Sequence, residues 1–157
     1  IDLDCRAVVV LAHAFLEGAG PGSALVNVSS PLGHTPKPGM SVYSASKAFV
    51  TAFSETLWHE QRSRGVHVMA LCPGVTITAS QTAEDVPSWL VRTPQQVVER
   101  ASRALANKTG PIVFTDGVTR AVTTFAGRLP RRVALTLFAD RPRPLHSGTD
   151  YPAKETT

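Results

Sequence analysis

The alternation of helical and strand-like patterns is the feature that most constrains this chain. Residues 1 to 17 read as a helix, apolar on most sides and ended by a turn at 18 to 22. Residues 23 to 29 read as a buried strand, and 31 to 39 as a loop broken by Pro31, Pro36 and Pro38. Residues 41 to 64 read as a long helix, with Val42, Ala45, Phe49, Ala52, Phe53, Thr56 and Leu57 at helical spacing and Gly65 as its cap. A second strand follows at 66 to 72, then an irregular stretch rich in Thr and Ser at 75 to 92. Thr93-Pro94-Gln95-Gln96 opens another helix with an N-cap, a proline at the first helical position and a capping-box spacing. That helix ends near Asn107, a short third strand covers 111 to 115, and 118 to 139 is helical with a break at Pro130. Strands separated by helices predict an α/β fold, a parallel sheet of about three strands joined by right-handed crossovers.

Within that frame, Ser30, Tyr43 and Lys47 carry the chemistry. Tyr43 and Lys47 are four residues apart and share one face of the long helix. An ammonium beside a phenol favours the phenolate. Bringing a phenol from its ordinary value near 10 to near neutral takes roughly 4 kcal/mol, more than one lysine supplies, so a bound cationic ring would have to contribute. Ser30 ends the preceding strand, where its hydroxyl is placed to hold a substrate oxygen against the same phenol. Taken singly, each residue reads better as an ordinary helix or turn residue; taken jointly, with the strand context, they read as a site. Ser30 lacks the Gly-x-Ser-x-Gly turn of serine hydrolases, which argues against that class.

The pattern resembles the short-chain dehydrogenase/reductase family, whose signature is Tyr-x-x-x-Lys with a serine thirteen residues before the tyrosine, as Ser30 stands to Tyr43. Leu25 to Ser30 is similar to the family's strand into that serine, and Val66 to Gly74 to its next strand and Pro-Gly turn. The resemblance runs over roughly residues 1 to 140 and implies the C-terminal part of a doubly wound, Rossmann-like fold. It further implies NAD(P)-dependent hydride transfer between a carbonyl and an alcohol. In that scheme Tyr43 is general acid or base, Lys47 assists it and holds the nicotinamide ribose, and Ser30 polarises the substrate oxygen. Tyr43, Lys47, Pro73, Gly74, Thr76 and Thr78 are the implied cofactor contacts, though Thr76 and Thr78 read equally as loop hydrogen-bonding residues. The cofactor is NAD or NADP, with a lean to NADP. Trp89 lies where the family has a substrate lid, with plain surface packing as the alternative, and His34, in the loop after Ser30, is a candidate substrate contact for which a structural role is the larger reading. One departure stands out: the family often has an asparagine in a Leu-Asn pattern on the preceding helix, and here the pair is Leu3-Asp4. An aspartate facing Lys47 weakens the lysine's pull on Tyr43. The sequence leaves open whether Asp4 faces Lys47 or caps the helix start.

The family's Gly-rich turn between first strand and first helix, which cradles the pyrophosphate, has no counterpart here. Gly18-Ala19-Gly20-Pro21-Gly22 follows a helix and its proline removes a donor, so it reads as a surface turn. With Ile1 at its start, the chain reads as the C-terminal portion of a longer enzyme, inactive alone; the alternative is a non-enzymatic remnant serving as an interaction domain. With 43% hydrophobic and 18% charged residues, the composition is that of a globular protein. Residues 1 to 140 form one catalytic domain, and the proline-rich 141 to 157 are expected to be a disordered tail. The net charge of +4 gathers in late arginines, read as a basic helix end and tail; a phosphate or membrane contact is the lesser reading. No nucleic-acid motif, metal-ligand spacing or membrane-length apolar run occurs, and two isolated cysteines suit a cytoplasmic chain. The expected partners are a small carbonyl or alcohol substrate and a second copy, in a dimer or tetramer packed through helices 1–17 and 41–64.

Overall fold

The computed structural model describes residues 1–77 and 87–139. A π turn at Asp2–Arg6 leads into α1, Ala7–Gly18. The chain then forms β1 (Ala24–Val28), α2 (Ser41–Glu60), β2 (His67–Cys72), α3 (Pro94–Ala106), β3 (Ile112–Phe114), α4 (Gly117–Ala126) and α5 (Arg131–Leu137). The three strands make one parallel sheet in the order β1-β2-β3. Val26 pairs with Met69 and Leu71 with Val113.

Successive side chains of β2 point to opposite faces, so its apolar run feeds two cores. Val68 joins Ala12, Leu57 and Val66 beneath α1 and α2, with Leu16, Phe53 and Trp58 packed on them. Met69 and Leu71 join Ala104 and Val113 beneath α3, with Val26, Val97 and Leu105. Helices on both faces of a parallel sheet are the doubly wound arrangement expected.

Local signals set the element ends. Gly65 adopts φ 69°, a left-handed value that a β-carbon disfavours, and it closes the turn between α2 and β2. Thr93 and Gln96 form the reciprocal capping box, with Gln96 N–H donating to Thr93 Oγ1 at 3.3 Å and Thr93 N–H to Gln96 Oε1 at 3.0 Å. Asp116 caps α4 by accepting from Thr119 N–H at 2.7 Å.

Three features differ from the sequence expectation. The long helix stops at Glu60, one turn short of Arg64, and residues 62–64 form a 3-10 turn. A second 3-10 turn, Pro31–Gly33, sits inside the loop after Ser30. The buried face of α2 is not its most apolar stripe: Ser44, Ser46, Val50, Thr51, Ser54 and Leu57 are buried, whereas Val42 and Phe49 are exposed. Small hydroxyl side chains satisfy themselves on the helix, Ser54 Oγ donating to Val50 carbonyl at 2.7 Å and Thr51 Oγ1 to Lys47 carbonyl at 3.0 Å. They also bond the sheet: Ser54 Oγ accepts from Asn27 Nδ2 at 2.9 Å, and the Ser29 and Thr51 hydroxyls, 2.7 Å apart, share their two protons between each other and the Lys47 carbonyl. Such residues bury without an unpaired polar atom and let the helix lie close to β1. Residues 140 to 157, the expected tail, lie outside the described residues.

Candidate active site

β1 ends at Val28, and the two serines after it are buried for different purposes. Ser29 Oγ donates to Lys47 carbonyl at 2.8 Å and so ties the strand end to α2. Ser30 accepts from Leu32 N–H at 3.2 Å and caps the 3-10 turn at 31–33. Gly33 in that turn presses against α2: a β-carbon there would stand 2.8 Å from both the carbonyl carbon and oxygen of Lys47. The close approach holds the Ser30 turn against the helix that carries Tyr43 and Lys47.

Tyr43 and Lys47 lie on one face of α2 as the four-residue spacing requires, and Lys47 Nζ is 5.7 Å from the Tyr43 ring centroid. The lysine side chain is 13% exposed. Its ammonium donates to Asp4 Oδ1 at 2.9 Å and to Val28 carbonyl at 3.3 Å. Asp4 therefore faces Lys47, the first of the two alternatives left open by the sequence. It reaches there because the chain bends at Asp2–Arg6, where both Cys5 N–H and Arg6 N–H donate to Ile1 carbonyl, at 2.8 and 3.3 Å. A π turn widens the helix and re-aims its side chains, and such turns recur at functional sites.

Ser30, Tyr43 and Lys47 line a single open cavity of about 810 Å³ with Pro73, Gly74 and Thr76. The Pro73-Gly74 turn follows β2, and Gly74 N–H donates to Thr115 Oγ1 at 3.1 Å. Thr76 Oγ1 donates to Gly74 carbonyl at 3.1 Å, the loop hydrogen bond that was one of its two expected roles. Thr78 lies outside the described residues, as does the side chain of Trp89. His34 is not in the cavity wall among the described residues. Its ring packs on Phe114 at 5.5 Å and approaches Cys72 Sγ at 4.0 Å. Burial holds the His34 imidazole below its ordinary value and pushes the Cys72 thiol up to about 11. Both groups are therefore neutral near pH 7.

The cavity wall also includes Lys37, Met40, Val97, Val98 and Thr119, which the sequence reasoning missed. Thr119 comes from the first turn of α4, where Asp116 Oδ2 accepts from its hydroxyl at 2.8 Å. The Asp-x-x-Thr spacing signals a helix start, but nothing local says that this start meets the Pro-Gly turn. Among the described residues no cluster of His, Cys, Asp or Glu is arranged to hold a metal.

The arrangement offers a phenol, an ammonium and a serine hydroxyl around one cavity, the donor set that proton transfer to a carbonyl oxygen needs. Comparison with known proteins bears on the family of the chain. Residues 1–87 match the family model of short chain dehydrogenases. Sulfoacetaldehyde reductase 2 of Chromohalobacter salexigens is 35% identical over 119 residues, covering 74% of this chain and 43% of that protein. The human inactive hydroxysteroid dehydrogenase-like protein 1 is 31% identical over 110 residues, covering 67% of this chain and 33% of that protein. The chain thus spans less than half the length of these curated relatives. Among solved structures, a Burkholderia cenocepacia short chain dehydrogenase in complex with NADP superposes with TM-score 0.64 at 22% identity, over 74% of this chain and 54% of that one. The family match takes in more than half of the 157 residues, including the serine, the tyrosine and the lysine, and the chain belongs to the short chain dehydrogenase family.

Proposed function

We propose that this chain carries the proton-transfer and substrate-binding part of an NAD(P)-dependent oxidoreductase acting on a carbonyl or alcohol. The observation that carries the reading is the convergence of Ser30, Tyr43 and Lys47 on one cavity. A reduced nicotinamide, when bound, supplies the hydride. Ser30 Oγ donates to the substrate oxygen and orients it. Tyr43 gives its phenolic proton to that oxygen as the alcohol forms, and takes it back as phenolate in the oxidation direction. Lys47 stabilises the phenolate and offers a donor to the ribose hydroxyls. Lys47 would hold the ribose of the nicotinamide cofactor, and Thr76 and the Pro73-Gly74 turn, which line the same cavity, would hold its carboxamide. Exposed Phe49 of α2, stacked on Phe53 at 5.9 Å, and exposed Val10 and Leu11 of α1 support packing against a second copy through these helices.

A second reading, a chain that is no enzyme by itself, is favoured by two observations. The sequence holds no Gly-rich phosphate cradle after a strand, and Asp4 already occupies Lys47. Contacts to the ribose and carboxamide amount to two or three hydrogen bonds of about 0.5–1.5 kcal/mol each, against an association cost of at least about 4 kcal/mol. Residues 1 to 157 alone are expected to bind no NAD(P)H up to millimolar cofactor. Joined to a strand–turn–helix cofactor segment, the same chain is expected to oxidise NADPH with a carbonyl. The test is a calorimetric titration of the chain alone beside an NADPH-oxidation assay of the joined polypeptide over a panel of carbonyls. Micromolar binding by the chain alone defeats the second reading, and a joined polypeptide that binds NADPH but reduces no carbonyl defeats the first.

A further inference from the structure

The end of the described chain presents a surface that the proton-transfer site does not use. On α4, Val118, Val122 and Phe125 recur at helical spacing and are exposed, Phe125 at 65%. On α5, Val133 and Leu137 are exposed one turn apart, Leu137 at 64%. Between the two helices runs an open apolar groove of about 320 Å³, walled by Val122, Phe125, Leu129, Leu137 and Phe138. On the other side of Phe125 a second shallow groove is walled by Arg120, Thr124 and Arg128. Phe125 is therefore a ridge with an apolar trough on one flank and cationic side chains on the other. Arg131 and Arg132, at the start of α5, are also exposed.

The charge that α4, α5 and the turn between them carry is one-sided among the described residues. From Gly117 to Ala139 the sequence has four arginines and no carboxylate. The nearest acid before it, Asp116, is spent on capping Thr119. A second copy of the same face would bring eight arginines together with no opposing charge. An exposed apolar ridge and groove with arginines beside it matches a surface that is anionic outside and apolar within, and an arginine reaches headgroups while its stem lies along acyl chains.

We propose that the α4–α5 face docks on an anionic lipid bilayer, with Phe125 and Leu137 entering the acyl boundary and Arg120, Arg128, Arg131 and Arg132 meeting the headgroup phosphates. No described helix is long and apolar enough to cross a membrane, so the contact is with one surface. The proposal is independent of the reading of the Tyr43 site.

Vesicle flotation tests it, since bound protein rises with the lipid and aggregated protein does not. The chain is expected to float with phosphatidylcholine vesicles doped with phosphatidylglycerol, about tenfold or more better than with phosphatidylcholine alone. High salt is expected to release it. Phe125→Asp and Arg128→Glu change exposed positions and are expected to abolish flotation with an unchanged circular dichroism spectrum. Val10→Asp, on exposed α1, is expected to leave it intact. Equal flotation with neutral lipid, or equal loss in Val10→Asp, means unspecific apolar adhesion and overturns the proposal. Failure to float, because a second copy, an acidic peptide or another segment of the chain takes the face, overturns it as well.

Discussion

Lys47 divides its ammonium between Asp4 Oδ1 and Val28 carbonyl, and what remains of its field falls on Tyr43. The carboxylate matters more than the carbonyl, because it carries a full opposite charge 2.9 Å away at a lysine side chain that is mostly buried. An asparagine of the same shape would keep the hydrogen bond and leave the positive charge uncompensated. If the joined polypeptide has the proposed activity, Asp4→Asn is therefore expected to move the midpoint of its alcohol-oxidation pH profile down. The sign follows from removing an anion that stabilises the ammonium and opposes a second negative charge nearby. The profile of rate against pH, compared with Asp4→Ala, checks it. A midpoint that stays in place in both variants would mean that solvent screens the pair.

The elements around the site depend on close backbone approach as much as on apolar burial. Gly33 has no room for a β-carbon, whose nearest neighbours would be backbone atoms of Lys47 and Ala48 at 2.8 to 2.9 Å. Gly33→Ala is expected to push the Ser30 turn off α2, costing about 1–3 kcal/mol of stability in a denaturant titration and lowering turnover through misplacement of Ser30. A variant as stable and active as the parent would show that the turn adjusts freely. This contact marks where the sequence stops being readable. The order of helices and strands was legible because Thr93, Pro94, Gln96 and Gly65 punctuate it and the strands are continuous apolar runs. The Tyr43–Lys47 pairing was legible because four-residue spacing fixes a shared helix face. The orientation of α2 was not, since Ser44, Thr51 and Ser54 bury by hydrogen bonding and leave no hydrophobic trace. The π turn that brings Asp4 to Lys47 is likewise a backbone choice without a residue signature.

At the scale of the molecule, the two ends of the sheet do different work. At β1 the strand end delivers Ser29 and Ser30 to the cavity, and its outer edge pairs with no strand among the described residues. At β3 the chain turns through Asp116 into α4, whose first turn closes the cavity with Thr119 while its far flank carries Phe125 and the arginines. β2, buried on both faces, holds the two ends in register and places the Pro73-Gly74 turn between them. Tyr43 lines the cavity and is the group proposed to move the proton, so the proposed chemistry stands or falls on it. Its most direct test is the rate of carbonyl reduction by the joined polypeptide with Tyr43→Phe, which removes the transferable proton and keeps the ring. A loss of about 100-fold or more in turnover with NADPH affinity unchanged is expected; a Tyr43→Phe enzyme that keeps most of its activity would contradict the proton-transfer role.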